Sequence, residues 1–153
     1  ICIFASSYFC GTQNIDGLHQ AAGSRNVLEL HGSVHRNHCQ RCGKFYGLEH
    51  ILRTEGVPRC SCGGIIKPDV VLYGENLNSG VINRAIAAID AADMLIIGGT
   101  SLAVYPAAGF IDYFHGKHLA VINKAATPRD EQADLVLHEP IGEVLGRLVI
   151  PSE

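Results

Sequence analysis

An excess of positive charge is missing from this chain. Its 153 residues carry 12 Lys and Arg against 15 Asp and Glu, for a formal net charge of −3 and a pI near 6.2. Binding to a phosphate backbone needs a basic face that displaces counterions, so there is no electrostatic case for nucleic acid as a partner. Also missing is any apolar run near the roughly 20 residues that a membrane-spanning helix requires. Residues 1–10 lack the positive leader and small-residue cleavage site of a secretory signal. No membrane contact is expected, and the cytoplasm is the expected compartment. The length allows one respectable core and a small satellite module, but hardly two full domains.

Cysteine, by contrast, is present in a pattern. Cys2 and Cys10 stand apart, while Cys39 with Cys42 and Cys60 with Cys62 form two tight pairs. In a reducing compartment, thiol pairs separated by about 15–20 residues are the mark of a tetrahedral zinc site in which each pair aims two sulfurs at one point. The second pair, Cys-Ser-Cys, is one residue shorter than the usual knuckle. Either that turn is contracted or a ligand comes from elsewhere, with His38 the obvious substitute; buried free thiols or a redox pair are the other readings. Four protein ligands leave no position for water, so such a metal is structural and contributes on the order of 10 kcal/mol to folding.

The stretch TQNIDGLHQAAGSRNVLELHGS, residues 12–33, shows neither helical nor strand periodicity. Gly17, Gly23 and Gly32 let a ligand approach the main chain, and Gln13, Asn14 and Asp16 set donors and acceptors side by side. His31 lies between the apolar run 27–30 and Gly32, where a restrained imidazole can act near neutral pH. The plain alternative is a turn in which Asp16 bonds to nearby backbone.

Read in order, residues 1–11 begin without methionine and form a short apolar strand with a Ser-Ser break. A zinc module over about 34–66 has a short helix at 45–53, and Lys67-Pro68-Asp69 closes it. Residues 70–73 read as a strand stopped by Gly74. The spacing of Val81, Ile82, Ala85, Ile86 and Ile89 predicts a helix over 81–92. Residues 93–99, 118–123 and 133–137 read as buried strands, with Pro106 opening a helix to about His115 and a closing helix over 140–149. The alternation is that of an α/β sheet with parallel strands, where ligands sit at the strands' carboxyl ends. Those ends read Gly98-Gly99-Thr100-Ser101 and Asn123-Lys124. Asn123 occupies the place where dinucleotide folds put a ribose-binding side chain, although Gly-Gly-Thr-Ser is equally a plain turn.

Taken together, the segments 12–19, Glu29-Leu30-His31-Gly32-Ser33, the paired cysteines, 70–77 and 99–107 resemble the sirtuin family of NAD-dependent protein lysine deacylases. The resemblance covers nearly everything from Thr12 onward. It implies a Rossmann-like α/β fold, incomplete in its N-terminal half, with a small zinc-binding module inserted. The corresponding division is 1–33 for the catalytic loop region, 34–67 for the zinc module and 68–153 for the rest of the NAD-binding domain. It also implies a reaction in which the acyl group of a lysine passes to the ADP-ribose part of NAD and nicotinamide is released. His31 is then the base that draws a proton from a ribose hydroxyl. Gln13, Asn14 and Asp16 hold the ribose and the nicotinamide amide. Gly99, Thr100 and Ser101 contact the adenosine half, Asn123 its ribose, and Ile141 the adenine edge. Cys39, Cys42, Cys60 and Cys62 hold zinc.

The acyl-lysine peptide is expected to bind by strand addition between Gly74-Glu75-Asn76 and Leu102-Ala103-Val104, with Val70 lining the lysine channel. The residues 70–73 are equally readable as a core strand, with alternate faces serving both ends. The family's Gly-Ala-Gly loop and Asp-Phe-Arg segment do not occur, so an exposed strand edge is expected where that unit would sit. Two other uses of the same residues stay open at this stage: a truncated, non-catalytic zinc-containing scaffold, and ADP-ribosyl transfer to protein.

Overall fold

In the computed structural model of the chain, residues 2–5, 9–103, 105 and 107–148 are described, 2–5 and 107 by backbone alone. Strands β1 (Cys2–Ala5) and β2 (Phe9–Thr12) pair antiparallel, and a short helix α1 (Leu18–Ala21) leads to β3 (Val27–Glu29). The chain then builds a second sheet from β4 (Gly32–Cys39), β5 (Phe45–Gly47) and β6 (Ile66–Val70), with helix α2 (Leu48–Leu52) between the last two. It returns through α3 (Ser79–Asp90), β7 (Met94–Gly98), a 3₁₀ helix (Ala107–Tyr113), β8 (His118–Ile122), a 3₁₀ turn (Asp130–Gln132), β9 (Leu135–Leu137) and α4 (Ile141–Gly146). Among the described residues no helix is long and apolar enough to cross a membrane.

The larger sheet has the order β3-β2-β1-β7-β8-β9. Pairs β2/β3, β7/β8 and β8/β9 are parallel, as an α/β sheet requires, while β1 runs antiparallel to both of its neighbours. This corrects the expectation of one strand in residues 1–11 and of an open edge beside it. Two strands are present, and β1 occupies the slot between β2 and β7, so the main-chain donors and acceptors there are paired.

Helix α3 follows its sequence pattern. Ala85 and Ile89 on the apolar stripe are fully buried, and the Asn78 side chain caps the first turn by accepting from the Val81 N–H at 3.1 Å. It packs on Leu95 and Ile97 of β7 and on Phe110 and Ile111 of the 3₁₀ helix, within one core that also holds Leu30, Leu119 and Val121. Residues 107–113 take up 3₁₀ rather than α geometry around Gly109, and Pro106, expected to open that helix, lies outside the described residues. Strand β9 starts later than expected because the Asp134 carboxylate takes the Leu119 N–H at 2.7 Å, ending the ladder there.

In the smaller sheet, ordered β5-β4-β6, the helix expected over 45–53 gives up its first three residues to β5. Phe45 and Tyr46, aromatic and suited to a strand, pair with His38 and Asn37 of β4. The strand expected over 70–73 lies instead at Ile66–Val70, and 71–73 lie outside it. Pro68 is tolerated inside β6 because that strand is an edge, where a missing N–H costs no ladder bond.

Candidate active site

A cavity of about 1140 Å³ opens where the loop after β2, the β3–β4 junction, the segment following β6 and helix α3 meet. Gln13, Asn14, Asp16, His31, Val70, Gly74 and Glu75 all line it. Residues as far apart in the chain as Gln13 and Tyr105 thus face one space. Ile15, Leu72, Tyr73, Asn76, Ile82 and Tyr105 complete much of its wall; Asn76 was expected there, and of the others only Ile82, read as part of a helical stripe, lies outside the segments that carry the family resemblance.

His31 is fixed from both sides. The Leu30 N–H donates to the Thr12 carbonyl at 2.8 Å, and the Val71 N–H donates to the carbonyl of His31 itself at 3.0 Å. Next to it Gly32 has φ +78°, and a Cβ there would fall 1.8 Å from the Asp69 carbonyl oxygen, so only glycine lets β4 start this close to β6. The imidazole Nδ1 lies 3.1 Å from the Gln13 carbonyl oxygen. A carbonyl only accepts, so Nδ1 carries hydrogen and the neutral ring keeps its lone pair on Nε2. The side-chain nitrogen of Gln13 is buried and has no hydrogen-bond partner. A buried donor without an acceptor costs free energy, and a ligand oxygen in the cavity would relieve it.

The opposite wall is a turn tied to β6. Lys67 Nζ donates to the Val70 carbonyl at 2.9 Å and to Glu75 Oε2 at 3.0 Å, and the same carboxylate oxygen accepts the Leu72 N–H at 3.0 Å. These contacts, the backbone N–H first and then Lys67, hold the Glu75 carboxyl below the ordinary carboxylate value. Lys67 was not among the expected site residues, and its place in a Lys-Pro-Asp boundary gave no sign of this role. Leu102 departs from the expectation of an extended pairing edge. Its side chain is buried in the core and its backbone sits at φ +50°, left-handed and off a strand's path. Val104 lies outside the described residues.

Gly99, Thr100, Ser101, Asn123 and Ile141 do not line this cavity. They gather at the carboxyl ends of β7 and β8. The Gly99 N–H donates to Ile122, and the Asn123 N–H donates to Leu137, both at 3.0 Å. Ile141, at the start of α4, packs on the main chain of Gly98. The Asn123 side-chain N–H is engaged with the Ala125 carbonyl at 2.7 Å, which leaves its oxygen as the acceptor on offer.

At the far end of β4 the four cysteines converge. Their sulfurs all lie within 4.8 Å of one another, with Cys39–Cys62 and Cys42–Cys62 at 3.5 Å and Cys42–Cys60 at 3.6 Å. A regular tetrahedron around zinc, with bonds of about 2.3 Å, has sulfur–sulfur edges of about 3.8 Å, so the set fits that ion closely. The short pair is a contracted turn, closed by the Gly63 N–H to Cys60 O and the Cys60 N–H to Gly64 O, each 2.8 Å. His38 is not needed; its ring packs edge-on against Phe45. The Cys62 N–H and the Tyr46 hydroxyl, 3.0 Å from Sγ, bring Cys60 down to about 5. For Cys62 the Gly64 N–H pulls the other way, but the three neighbouring sulfurs push it up to about 12. Such crowding of would-be thiolates is what a divalent cation neutralises.

Fold and site together define a two-sheet α/β protein with a nucleotide-type sheet, a thiolate-clamped lobe and an oriented imidazole in the cavity beside them. The model of the Sir2 family matches residues 5–106, and the chain belongs to that family. It is 62% identical over 140 residues to the NAD-dependent protein deacetylase of Clostridium perfringens, an alignment covering 90% of this chain and 57% of that one. To the NAD-dependent protein deacetylase of Cutibacterium acnes it is 57% identical over 143 residues, covering 92% and 59%. A solved structure of Sir2 with a p53 peptide and NAD+ is similar at a TM-score of 0.83 and 41% identity, covering 90% of this chain and 60% of that one. Another, Sir2 bound to an acetylated peptide, is similar at 0.83 and 40%. The chain therefore spans less than two thirds of the length of the curated relatives it matches.

Proposed function

We propose that this chain carries the catalytic centre for NAD-dependent removal of acyl groups, acetyl included, from protein lysine, with transfer to ADP-ribose and release of nicotinamide. The observation that carries the reading is the pairing of His31 with Gln13: one donates Nδ1–H to the other's carbonyl, both line the same cavity, and the buried side-chain nitrogen of Gln13 has no partner. The names of the relatives and the ligands in the similar structures support it.

NAD, when bound, supplies the ribose carbon that receives the acyl oxygen as nicotinamide leaves. His31 Nε2, with its lone pair free, takes the proton of a ribose hydroxyl, and the Gln13 carbonyl steadies the resulting imidazolium through Nδ1. Gln13, Asn14 and Asp16 hold the ribose and the nicotinamide amide. Gly99, Thr100, Ser101, Asn123 and Ile141 receive the adenosine half at the strand ends. The turn at Val70, Gly74 and Glu75 forms one wall for the acyl-lysine, whose apolar stem suits Val70, and Tyr105 lines the same cavity. Residues 34–67 act as the structural zinc module, with Cys39, Cys42, Cys60 and Cys62 as ligands, between the two parts, 1–33 and 68–153, of the NAD-binding lobe. A reducing cytoplasm keeps those thiolates from pairing with each other.

The test is a deacylation assay with an acetyl-lysine peptide and NAD, parent against His31→Ala. Loss of a general base predicts a fall of about 10²–10⁴-fold in turnover with metal content unchanged. Equal turnover in the two would end the reading.

A further inference from the structure

A second imidazole, outside the cavity lining, touches the same loop from behind. His35 lies mid-way along β4, exposed, between the His31 end of that strand and the metal-ligand end at Cys39. Its Nε2 is 2.9 Å from the carbonyl oxygen of Asp16, so Nε2 carries hydrogen and donates. The next residue, Gly17, has φ +72° and presses directly on the ring: a Cβ there would fall 2.8 Å from His35 Nε2 and 2.9 Å from its Cδ2. One strand residue earlier, the Val34 N–H donates to the Ile15 carbonyl at 3.1 Å. Inside the loop, the Asn14 N–H donates to Thr12 Oγ1 at 3.1 Å and the Leu18 N–H to Asp16 Oδ1 at 3.0 Å.

We propose that His35 is a positioning residue that clamps the 13–16 loop in its ligand-ready shape. The two imidazoles use opposite ring nitrogens on opposite ends of that loop, His31 Nδ1 on the Gln13 carbonyl and His35 Nε2 on that of Asp16. With both carbonyls held, the loop's side chains stay turned to the cavity without a ligand to order them, which lowers the cost of binding. Because His35 lies on the strand that ends in Cys39, the clamp also joins the loop to the thiolate lobe. That the ordered loop serves a dinucleotide rests on the function proposed above; that His35 orders it does not.

The experiment separates the two. Amide hydrogen exchange on the full chain without ligand, parent against His35→Ala, is expected to show Asn14, Leu18 and Val34 exchanging at least about tenfold faster, with β7 and β8 and the bound zinc content unchanged. His35→Gln, whose amide nitrogen stands the same number of bonds from Cβ, restores protection. Parent-like exchange in His35→Ala, or failure of His35→Gln to restore what His35→Ala loses, overturns the clamp. Calorimetric titration with NAD is expected to show about tenfold weaker binding in His35→Ala and recovery in His35→Gln. A loosened loop with unaltered NAD affinity, or a parent chain that binds no NAD, sinks the dinucleotide reading and leaves the clamp standing.

Discussion

The two sheets of this molecule are held by different means. Among the described residues, the six-stranded sheet is backed by a core of 12 buried residues reaching from Phe9 to Val121, with Ala85, Ile89 and Leu95 entirely shielded from solvent. Among the described residues, the buried apolar cluster of the three-stranded sheet is only Cys39, Cys60 and Ile66, helped by Tyr46, Ile51 and Cys62, while Phe45, Leu52, Val57 and Ile65 on the same lobe stay exposed. Area removed from water can hold the first; the second has too little of it and needs a cross-link between its two cysteine turns. The lobe that looks least protein-like in its packing is nevertheless the one whose strand β4 follows directly on the cavity-lining His31 and carries His35, which holds the Asp16 carbonyl of the cavity loop. Order at the site therefore draws on both kinds of cohesion.

The sharpest way to break this contrast is to take the metal away. A chelator, or Cys60→Ala, is expected to remove a contribution on the order of 10 kcal/mol from the small lobe. Amide exchange should report loss of protection across 39–66 with β7 and β8 still protected. Equal loss in both sheets would show that the lobes are one cooperative unit. The converse change, Leu95→Ala in the shielded core, is expected to cost about 2–5 kcal/mol by denaturant titration while zinc stoichiometry stays at one per chain. The smallest effect lies at the turn between the lobes. Glu75 is held below its ordinary value, so its contribution is present above the ordinary carboxylate range and fades as pH falls through the lowered folded value. Lys67→Met should move the Glu75 titration, followed by carboxyl-carbon NMR, back toward the ordinary value. No movement would mean that the Leu72 N–H alone sets it.

The same contrast explains what could be read in advance. Helix α3 and strands β7 and β8 were legible because each buries a periodic set of apolar residues, and the period alone names the element. The metal cluster was legible from spacing, because two thiols in one short turn have few other uses. The hairpin-like pairing of β1 with β2 and the place of β6 were not. Strand β1 is defined by the gap it fills between β2 and β7, and β6 contains a proline that is harmless only because no strand lies beyond it. At the site, His31, Gln13, Asn14 and Asp16 were picked out as chemistry-bearing residues on a glycine-rich loop. Lys67 and His35 were passed over, since a lysine beside a proline and a histidine within a strand look ordinary until their acceptors are known.

Local order, the donor set for a metal and the stock of reactive groups were thus settled by the amino-acid sequence alone, since each depends on residues close together along the chain. Only the tertiary structure decided which nitrogen of His31 keeps its lone pair, which wall Lys67 braces and which carbonyl His35 holds. Those depend on the direction in which main-chain oxygens point after distant segments have packed, and no property of a residue by itself carries that direction.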